Sequence, residues 1–469
     1  MNSPVLQTLN NRQLPAWGLG ALLVLPWLSP YTSGPTPNVW PWLVSAVCAV
    51  LFWLFRRRLG FELIAAAWLL AATISAVIGL LQYFGLAQAL NPWVSQTSPG
   101  EAFANLRQRN QFATLTSIGL MALIGWLARQ APGQRVPWWA SFMALLLALG
   151  NAASGSRTGL LQWALVLVLT AWWGLPGRRR LVVFALQAML AYLIAVVTLP
   201  WLLTVLTGLT SGGLFGRLVE APTCASRAVL WSNVLTLIAQ KPWLGWGWGE
   251  LDYAHFMTLY PGPRFCEILD NAHNLPLHLA VELGVPAALT ICAGLGWMVW
   301  RTKPWREADP ARQMAWGVLA VIMLHSMLEY PLWYGPFQIA FGLCAGLLWA
   351  SSAVGPGAGE ASTNSVQEKF KQKWPQAESF RVFIAIIIIA ILMGAAIGYY
   401  RVSQIYLPPA ERGAAYRDDT LNKIQGTWLF RNQARFAELS VTALKPENGV
   451  AMHAMAQELL HYSPEPRVV

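Results

Sequence analysis

Residues 270–287 read DNAHNLPLHLAVELGVPA, and the fold of the chain turns on how this stretch is read. A polar, histidine-bearing segment runs without a break into an apolar helix. His273 and Asn274 stand where the chain meets a membrane surface, and His278 and Glu282 follow at helical spacing inside the apolar run. Polar groups are costly in hydrocarbon, so a cluster of them at a helix mouth marks a functional candidate by default.

The chain around this stretch has the composition of a membrane protein. Its 469 residues are 56% hydrophobic and only 11% charged, with 26 Trp, far from soluble globular usage. Apolar runs at about 14–31, 38–55, 61–82, 111–128, 136–152, 158–175, 181–207, 274–300, 313–331, 335–352 and 382–400 predict eleven spans. Each is close to the ~20 residues that cross hydrocarbon. The expected fold is an all-α polytopic membrane protein. Met1 to Arg12 is polar and no small-residue cleavage site follows, so the first run reads as a retained helix rather than a cleaved signal. A net charge of +11 would suggest nucleic acid in a soluble protein. Here the cations fall in short loops, where membrane orientation accounts for them, and no nucleic-acid partner is expected.

With the N-terminus in the cytoplasm, the alternating loops sort by charge. Arg12 and the loops at 56–60, 129–135, 176–180, 301–312 and 353–381 hold seventeen cations on the inner side. The outer loops hold seven: Arg107, Arg109, Arg157, Arg217, Arg227, Lys241 and Arg264. The positive-inside rule supports this orientation at every loop. It divides the chain into a ten-helix catalytic domain over 1–352 with outer loops 83–110 and 208–273, an inner linker 353–381, an eleventh span 382–400 and an outer tail 401–469. The linker is rich in Gly, Ala, Ser, Gln and Lys. In the larger outer loop, an amphipathic stretch over 228–239 precedes KPWLGWGWGE, which would lie on the membrane with Trp243, Trp246 and Trp248 at headgroup level. The tail has room for two or three short helices and no evident core of its own.

Topology disfavours the outer arginines, so each needs another reason to be there. Arg157 stands in SGSRTG, Arg227 in CASRAVLW, and Arg107 and Arg109 flank Gln108 in LRQRNQFATL. Guanidinium suits bidentate contact with phosphate oxygens, and several converging on one cavity would suit a lipid-linked pyrophosphate. The alternative for each is snorkelling to headgroups or local pairing with Glu101, Glu220 or Glu267. His273 is of the type that serves as a general base, and a capping role is its alternative. Deeper, His278 and Glu282 are four residues apart, as are His325 and Glu329 in LHSMLEYPLWY. On antiparallel spans His278 falls level with Glu329 and Glu282 with His325, which predicts cross-helix pairs. Pairing within each helix, or a zinc site from the four, are the alternatives. Cys48, Cys292 and Cys344 lie in spans as apolar fillers, while Cys224 and Cys266 share the outer loop, either as free thiols or as a disulfide tying Arg227 to His273. No Walker loop, GxSxG, CxxC or DxD-like motif is present, which argues against nucleotide hydrolysis and against glycosyl transfer on paired carboxylates with a metal.

Together these residues resemble a known superfamily. His273-Asn274, nine residues and Gly284 resemble the H-[NSQ]-x9-G motif of the O-antigen ligases, with Ala287 a departure at the last motif position. SGSRTG, SRAVLW with KPWLGWGWGE, NAHNLPLHLAVELG, HSMLEYPLW and NLRQRNQFATL together look more like the protein O-oligosaccharyltransferases of the PglL-type branch. The resemblance covers about 100–350 well and the tail weakly. It implies a GT-C-like enzyme of the bacterial inner membrane, active on the periplasmic side, that moves a glycan from undecaprenyl pyrophosphate to an acceptor hydroxyl. It implies His273 as the essential base, Arg157 and Arg227 on the donor pyrophosphate with Arg107 and Arg109 nearby, and Gln108 and Tyr330 as further residues of the protein-glycosylating branch. Asn274, His278, Glu282, His325 and Glu329 would support the site. No cofactor or metal is required. The acceptor would be a pilin-like protein at Ser or Thr, with a lipid A core ligase or a polymerase of lipid-linked glycans as alternatives and a flippase as a non-enzymatic one. A reporter fused after Gly177 should be cytoplasmic, and an extracytoplasmic reporter there would break the predicted alternation.

Overall fold

The computed structural model describes residues 16–30, 34–55, 60–131, 133–174, 177–210, 213, 224–352 and 376–464. Most of the expected linker, the first residues with Arg12, the cations at 56–58, and Arg217 and Glu220 lie outside these. Among the described residues the chain is helical and has no strand. The helices in order are α1 (Ala16–Leu28), α2 (Trp40–Phe55), α3 (Phe61–Tyr83), α4 (Arg109–Ala128), α5 (Trp138–Ser154), α6 (Arg157–Trp172) and α7 (Arg178–Thr207). They continue as α8 (Arg227–Gln240), α9 (Leu251–Met257), α10 (Leu275–Leu283), α11 (Val285–Thr302), α12 (Pro310–Ser326), α13 (Gly335–Ser352) and α14 (Gln376–Ser403). Three short helices, α15 (Thr420–Ile424), α16 (Arg431–Val441) and α17 (Gly449–Leu459), form the tail. Of these, α3, α4, α7 and α14 are long and apolar enough to cross a membrane, and α1, α2, α5, α6 and α13 are shorter apolar helices.

Helix α4 is the axis of the bundle. It is packed by α3, α5, α6 and α12, and nearly all of it is buried. Small residues allow this density. A Cβ on Gly119 would lie 2.4 Å from Ala72 Cβ, and one on Gly125 would lie 3.0 Å from Met314 Cβ. A helix so enclosed can carry buried hydroxyls only if they are bonded. Thr114, Thr116 and Ser117 each donate to a backbone carbonyl of their own helix. Gln162 of α6 reaches across to Thr114 Oγ1 at 2.8 Å and to the Val321 carbonyl of α12 at 3.1 Å, so three helices share one polar junction.

The expected span 274–300 is two helices. Gly284 separates them with φ +88°, a conformation for which a side chain is strained, and a Cβ there would lie 2.2 Å from Trp243 O. Helix α11 alone is 18 residues, about 27 Å at ~1.5 Å per residue, so it has spanning length without α10. Helix α10 instead belongs to a module built from 224–283. Trp246 N donates to Val281 O at 2.9 Å, Gly247 N to Glu282 O at 3.0 Å, and Val285 N to Pro242 O at 2.8 Å. This ladder satisfies the last carbonyls of α10. The module has its own core of Leu230, Val234, Leu237, Leu251, Ala254, Phe265, Leu269, Ala272 and Val281. Trp243 and Trp248 are exposed, and Trp246 is half-buried against the core of the module. Its Nε1 donates to Leu237 O at 3.0 Å and Lys241 Nζ lies 3.9 Å from its ring centre.

The tail packs on the bundle rather than on itself alone. Tyr399 and Val402 of α14 form a core with Ile424, Phe430 and Ala434, joined by Val39 and Trp40. Tyr399 Oη donates to Pro35 O at 2.7 Å. After α17, the His461 ring stacks on Tyr253 of α9 at 3.8 Å, its Nδ1 lies 2.8 Å from Glu250 Oε2, and Tyr462 Oη donates to Thr36 O at 3.3 Å. The tail thus bridges the first interhelical loop and the 224–283 module. Gly284→Ala should cost about 1–3 kcal/mol, since it combines a glycine-only conformation with a backbone collision. Gly294→Ala, with nothing within 4 Å, should change thermal unfolding little by comparison.

Candidate active site

Glu329 is the meeting point of the site. Its side chain is only 11% exposed, in the turn after α12. His273 Nδ1 lies 2.5 Å from Oε2, Arg227 Nη2 pairs with Oε1, and Asn110 Nδ2 donates to Oε1 at 3.3 Å. Burial alone would raise the carboxyl. The His273 hydrogen bond and the charges of His273, Arg227 and His325 outweigh it and hold Glu329 below the usual carboxylate value. An ionised Glu329 can only accept, so Nδ1 is the donor, and Nε2 is the ring nitrogen left to exchange a proton. Nε2 has no protein partner among the described residues.

Local backbone geometry places each group. His273 is left-handed at φ 49°, and its N–H donates to Asn271 Oδ1 at 2.8 Å, which turns the ring away from the line of α10. Asn274 caps α10, accepting from Leu277 N at 3.1 Å, and donates to Met327 O at 3.0 Å, which ties the helix to the Glu329 turn. Arg227 is the first residue of α8, capped by Ser226. Arg157 is the first residue of α6, whose cap Ser156 accepts from Gly159 N at 3.0 Å and donates to Asn110 Oδ1 at 2.6 Å. Both guanidiniums therefore stand at helix N-termini, where the backbone also favours anions. Tyr330 packs edge-on against His273, with ring centres 4.9 Å apart, and stacks on Tyr334. Burial raises the Tyr330 hydroxyl, assisted by Tyr334, Asp270 and Glu329, so it is a neutral donor rather than a base.

Other sequence-selected residues fall elsewhere. Gln108 caps α4, accepting from Gln111 N at 2.7 Å, and Arg109 pairs with Glu101, the local alternative. Arg107 is exposed and left-handed at φ 57°. The cross-helix pairs are not formed. His278 and Glu282 face each other within α10, with Nε2 to Oε2 at 3.5 Å, and His325 Nδ1 lies 2.8 Å from Thr114 Oγ1 of α4. The level-by-level pairing assumed two continuous spans. Helix α10 ends at Gly284 and α12 at Ser326, and Glu329 stands in the turn that closes α12, its N–H on His325 O at 2.8 Å and its side chain on His273. Among the described residues the four form no common ligand set. Cys224 and Cys266 are bonded, with Cα atoms 5.5 Å apart, and the bridge ties the start of α8 to the strand of chain leading to His273. Asn110 and Ser156 were not singled out from sequence, although both lie inside motifs that were.

Three family models cover the pieces of this cluster. One described as protein glycosylation ligase matches residues 102–128, one described as O-antigen ligase matches 142–292, and one described as virulence factor membrane-bound polymerase, C-terminal, matches 313–469. A general O-oligosaccharyltransferase of Acinetobacter baylyi is 25% identical over 290 residues, 60% of this chain and 49% of the relative. A ComP-specific O-oligosaccharyltransferase of the same organism is 25% identical over 308 residues, 63% of this chain and 53% of the relative. The chain spans about half the length of these curated relatives. The motif resemblance therefore holds as a similarity: the chain is similar to the O-antigen ligases and to the protein O-oligosaccharyltransferases.

The lowered Glu329 carboxyl has a signed consequence. Its contribution to stability is present above the unfolded value of 4.5 and is lost as pH falls through the lower folded value. Glu329→Gln should lower stability by about 2 kcal/mol, the scale of hydrogen bonds to charged groups. Thermal unfolding across pH should show that deficit unchanged from neutral down to pH 4.5 and narrowing only below it.

Proposed function

We propose that the chain is an oligosaccharyltransferase, moving a glycan from a polyprenyl pyrophosphate, undecaprenyl pyrophosphate in a bacterium, to a Ser or Thr hydroxyl of a protein on the outer side of the inner membrane. The observation that carries the reading is the His273–Glu329 pair, which leaves His273 Nε2 open beside the Arg227 guanidinium on Glu329, while Arg157 opens the helix whose cap Ser156 bonds Asn110 of the same cluster. The acceptor oxygen attacks the anomeric carbon and forms the new glycosidic bond. His273 Nε2 takes the hydroxyl proton, and Glu329 stabilises the imidazolium that results. The bond from the anomeric carbon to the phosphate oxygen breaks, and its electron pair leaves with the pyrophosphate. Arg157 and Arg227 stabilise that charge, the task a divalent cation performs in other glycosyl transfers. Arg227 already holds Glu329, so it also joins the base to the donor site. The names of the relatives support a protein acceptor.

The match to a polymerase C-terminal model over 313–469 favours a second reading, in which another lipid-linked glycan or a lipid A core is the acceptor. Co-expression with a lipid-linked glycan pathway and a candidate pilin separates the two: glycan on the pilin supports the first, glycan on lipid the second, and glycan on neither rejects both. His273→Ala should lower transfer by roughly 10²–10⁴-fold, the usual contribution of a general base. Unchanged helical content by circular dichroism would show that the loss is chemical, and substantial residual transfer would remove His273 from that role. The mechanism uses no metal, so transfer should survive excess chelator.

A further inference from the structure

Trp428 and Leu429 stand outside the cores of the tail. They belong to the sequence GTWLF at 426–430 and are 89% and 55% exposed. Phe430, the next residue, is buried in the core it shares with Tyr399 of α14, ring centres 5.2 Å apart. Three consecutive apolar residues are thus divided between a core and open surface. The turn that presents them has a defined shape. Gly426, at φ +79°, redirects the chain after α15 in a conformation for which a side chain is strained. Thr427 is buried, and its Oγ1 donates to Ile424 O at 2.9 Å.

Contacts with α14 fix the depth of this turn. Helix α15 packs on residues 404–406, just past the end of α14, and Arg401 Nη2 donates to Lys423 O at 2.9 Å. Phe430 instead meets Gly398, where a Cβ would lie 3.3 Å from its ring. Gly398 stands before the last residue of α14, Ser403, by about 7.5 Å at ~1.5 Å per residue. Between α15 and Phe430 the chain therefore runs back along α14 into its apolar run. Helix α14 is long and apolar enough to cross a membrane, and near this level its own Ile397 and Tyr400 are 56% and 45% exposed. Trp428 and Leu429 open beside a helix that offers apolar and aromatic surface at the same depth, with Arg401 and Lys423 marking the polar side of the boundary.

We propose that the turn at 426–430 is a lipid-docking finger, which sets Trp428 and Leu429 into the headgroup boundary of the leaflet on the tail's side, next to α14. Tryptophan suits that depth because its ring is apolar while its indole N–H can bond to headgroups. A lipid surface fits better than a protein partner. The finger continues the exposed face of α14, and two side chains offer far less than the ~800 Å² per partner of a stable protein interface. The inference rests on α14 crossing the membrane and not on the transferase reading. It gives the tail a hold on the bilayer at one end, while His461 holds Glu250 of the 224–283 module at the other.

The test compares depth at positions of matched exposure, since Val450 on α17 is 87% exposed. The full chain carries Cys292→Ser; Cys48 and Cys344 are buried, and Cys224 is bonded to Cys266. It is spin-labelled at Trp428→Cys, Leu429→Cys or Val450→Cys and placed in phosphatidylcholine nanodiscs. Power saturation reads collisions with oxygen, which concentrates in hydrocarbon, and with a water-soluble nickel chelate. Labels at 428 and 429 should meet the nickel chelate several-fold less often than the label at 450, and oxygen several-fold more often. Equal nickel collision at all three positions would place the turn in water and overturn the finger. Low collision with both reagents at 428 and 429 would mean that protein covers the turn, and would overturn the lipid assignment. Leu429→Cys keeps Trp428, so a fold disturbed by loss of the tryptophan does not mask the result.

Discussion

A carboxylate that is almost out of solvent must be given donors and positive charge, or it will not remain ionised. Glu329 is that group. Its partners come from three places far apart in the chain: Asn110 at the start of α4, Arg227 at the start of α8, and His273 ahead of α10. Satisfying one side chain therefore draws together the bundle axis, the 224–283 module and the turn after α12. The catalytic proposal uses the same contacts, since a carboxylate held ionised fixes the tautomer of the histidine it touches.

The polar junction beneath the site explains why Asn110 holds its position. Thr114, one turn on, donates to the Asn110 carbonyl at 2.7 Å and is itself approached by Gln162 and His325. These groups are buried among apolar residues, where an unmet hydrogen bond is expensive, so the first turn of α4 has little freedom to move. Ser156 extends the link to α6. His273 and the start of α6, the proposed base and the proposed phosphate site, are thus positioned by one continuous set of hydrogen bonds.

The sequence made some of this legible, for identifiable reasons. The spacing from His273 to Gly284 is readable because it has a local cause. Asn274 caps a helix of nine residues, and Gly284 stops it where only a glycine fits against Trp243. The bundle was readable because hydropathy reports burial in lipid directly. The division of 274–300 was not, because α10 is as apolar as a span while its partners are the backbone of a loop. The fate of Glu329 was hidden for a related reason. It stands in the turn that closes α12, its N–H on His325 O at 2.8 Å, while its side chain meets His273 from outside the helix. Asn110 carried no distinguishing signal beyond membership of a polar string, since its importance comes from two neighbours that are remote in sequence.

The contacts of the tail have a consequence for biosynthesis. His461 and Tyr462 close on Tyr253, Glu250 and Thr36, partners made more than two hundred residues earlier. A membrane protein inserts its helices as they emerge, so the bundle and the disulfide-tied module can form while translation is still under way. The seal between tail, module and first loop cannot. Those contacts form only once the chain through Tyr462 has been made, later than the contacts of Asn110, Arg227 and His273 with Glu329.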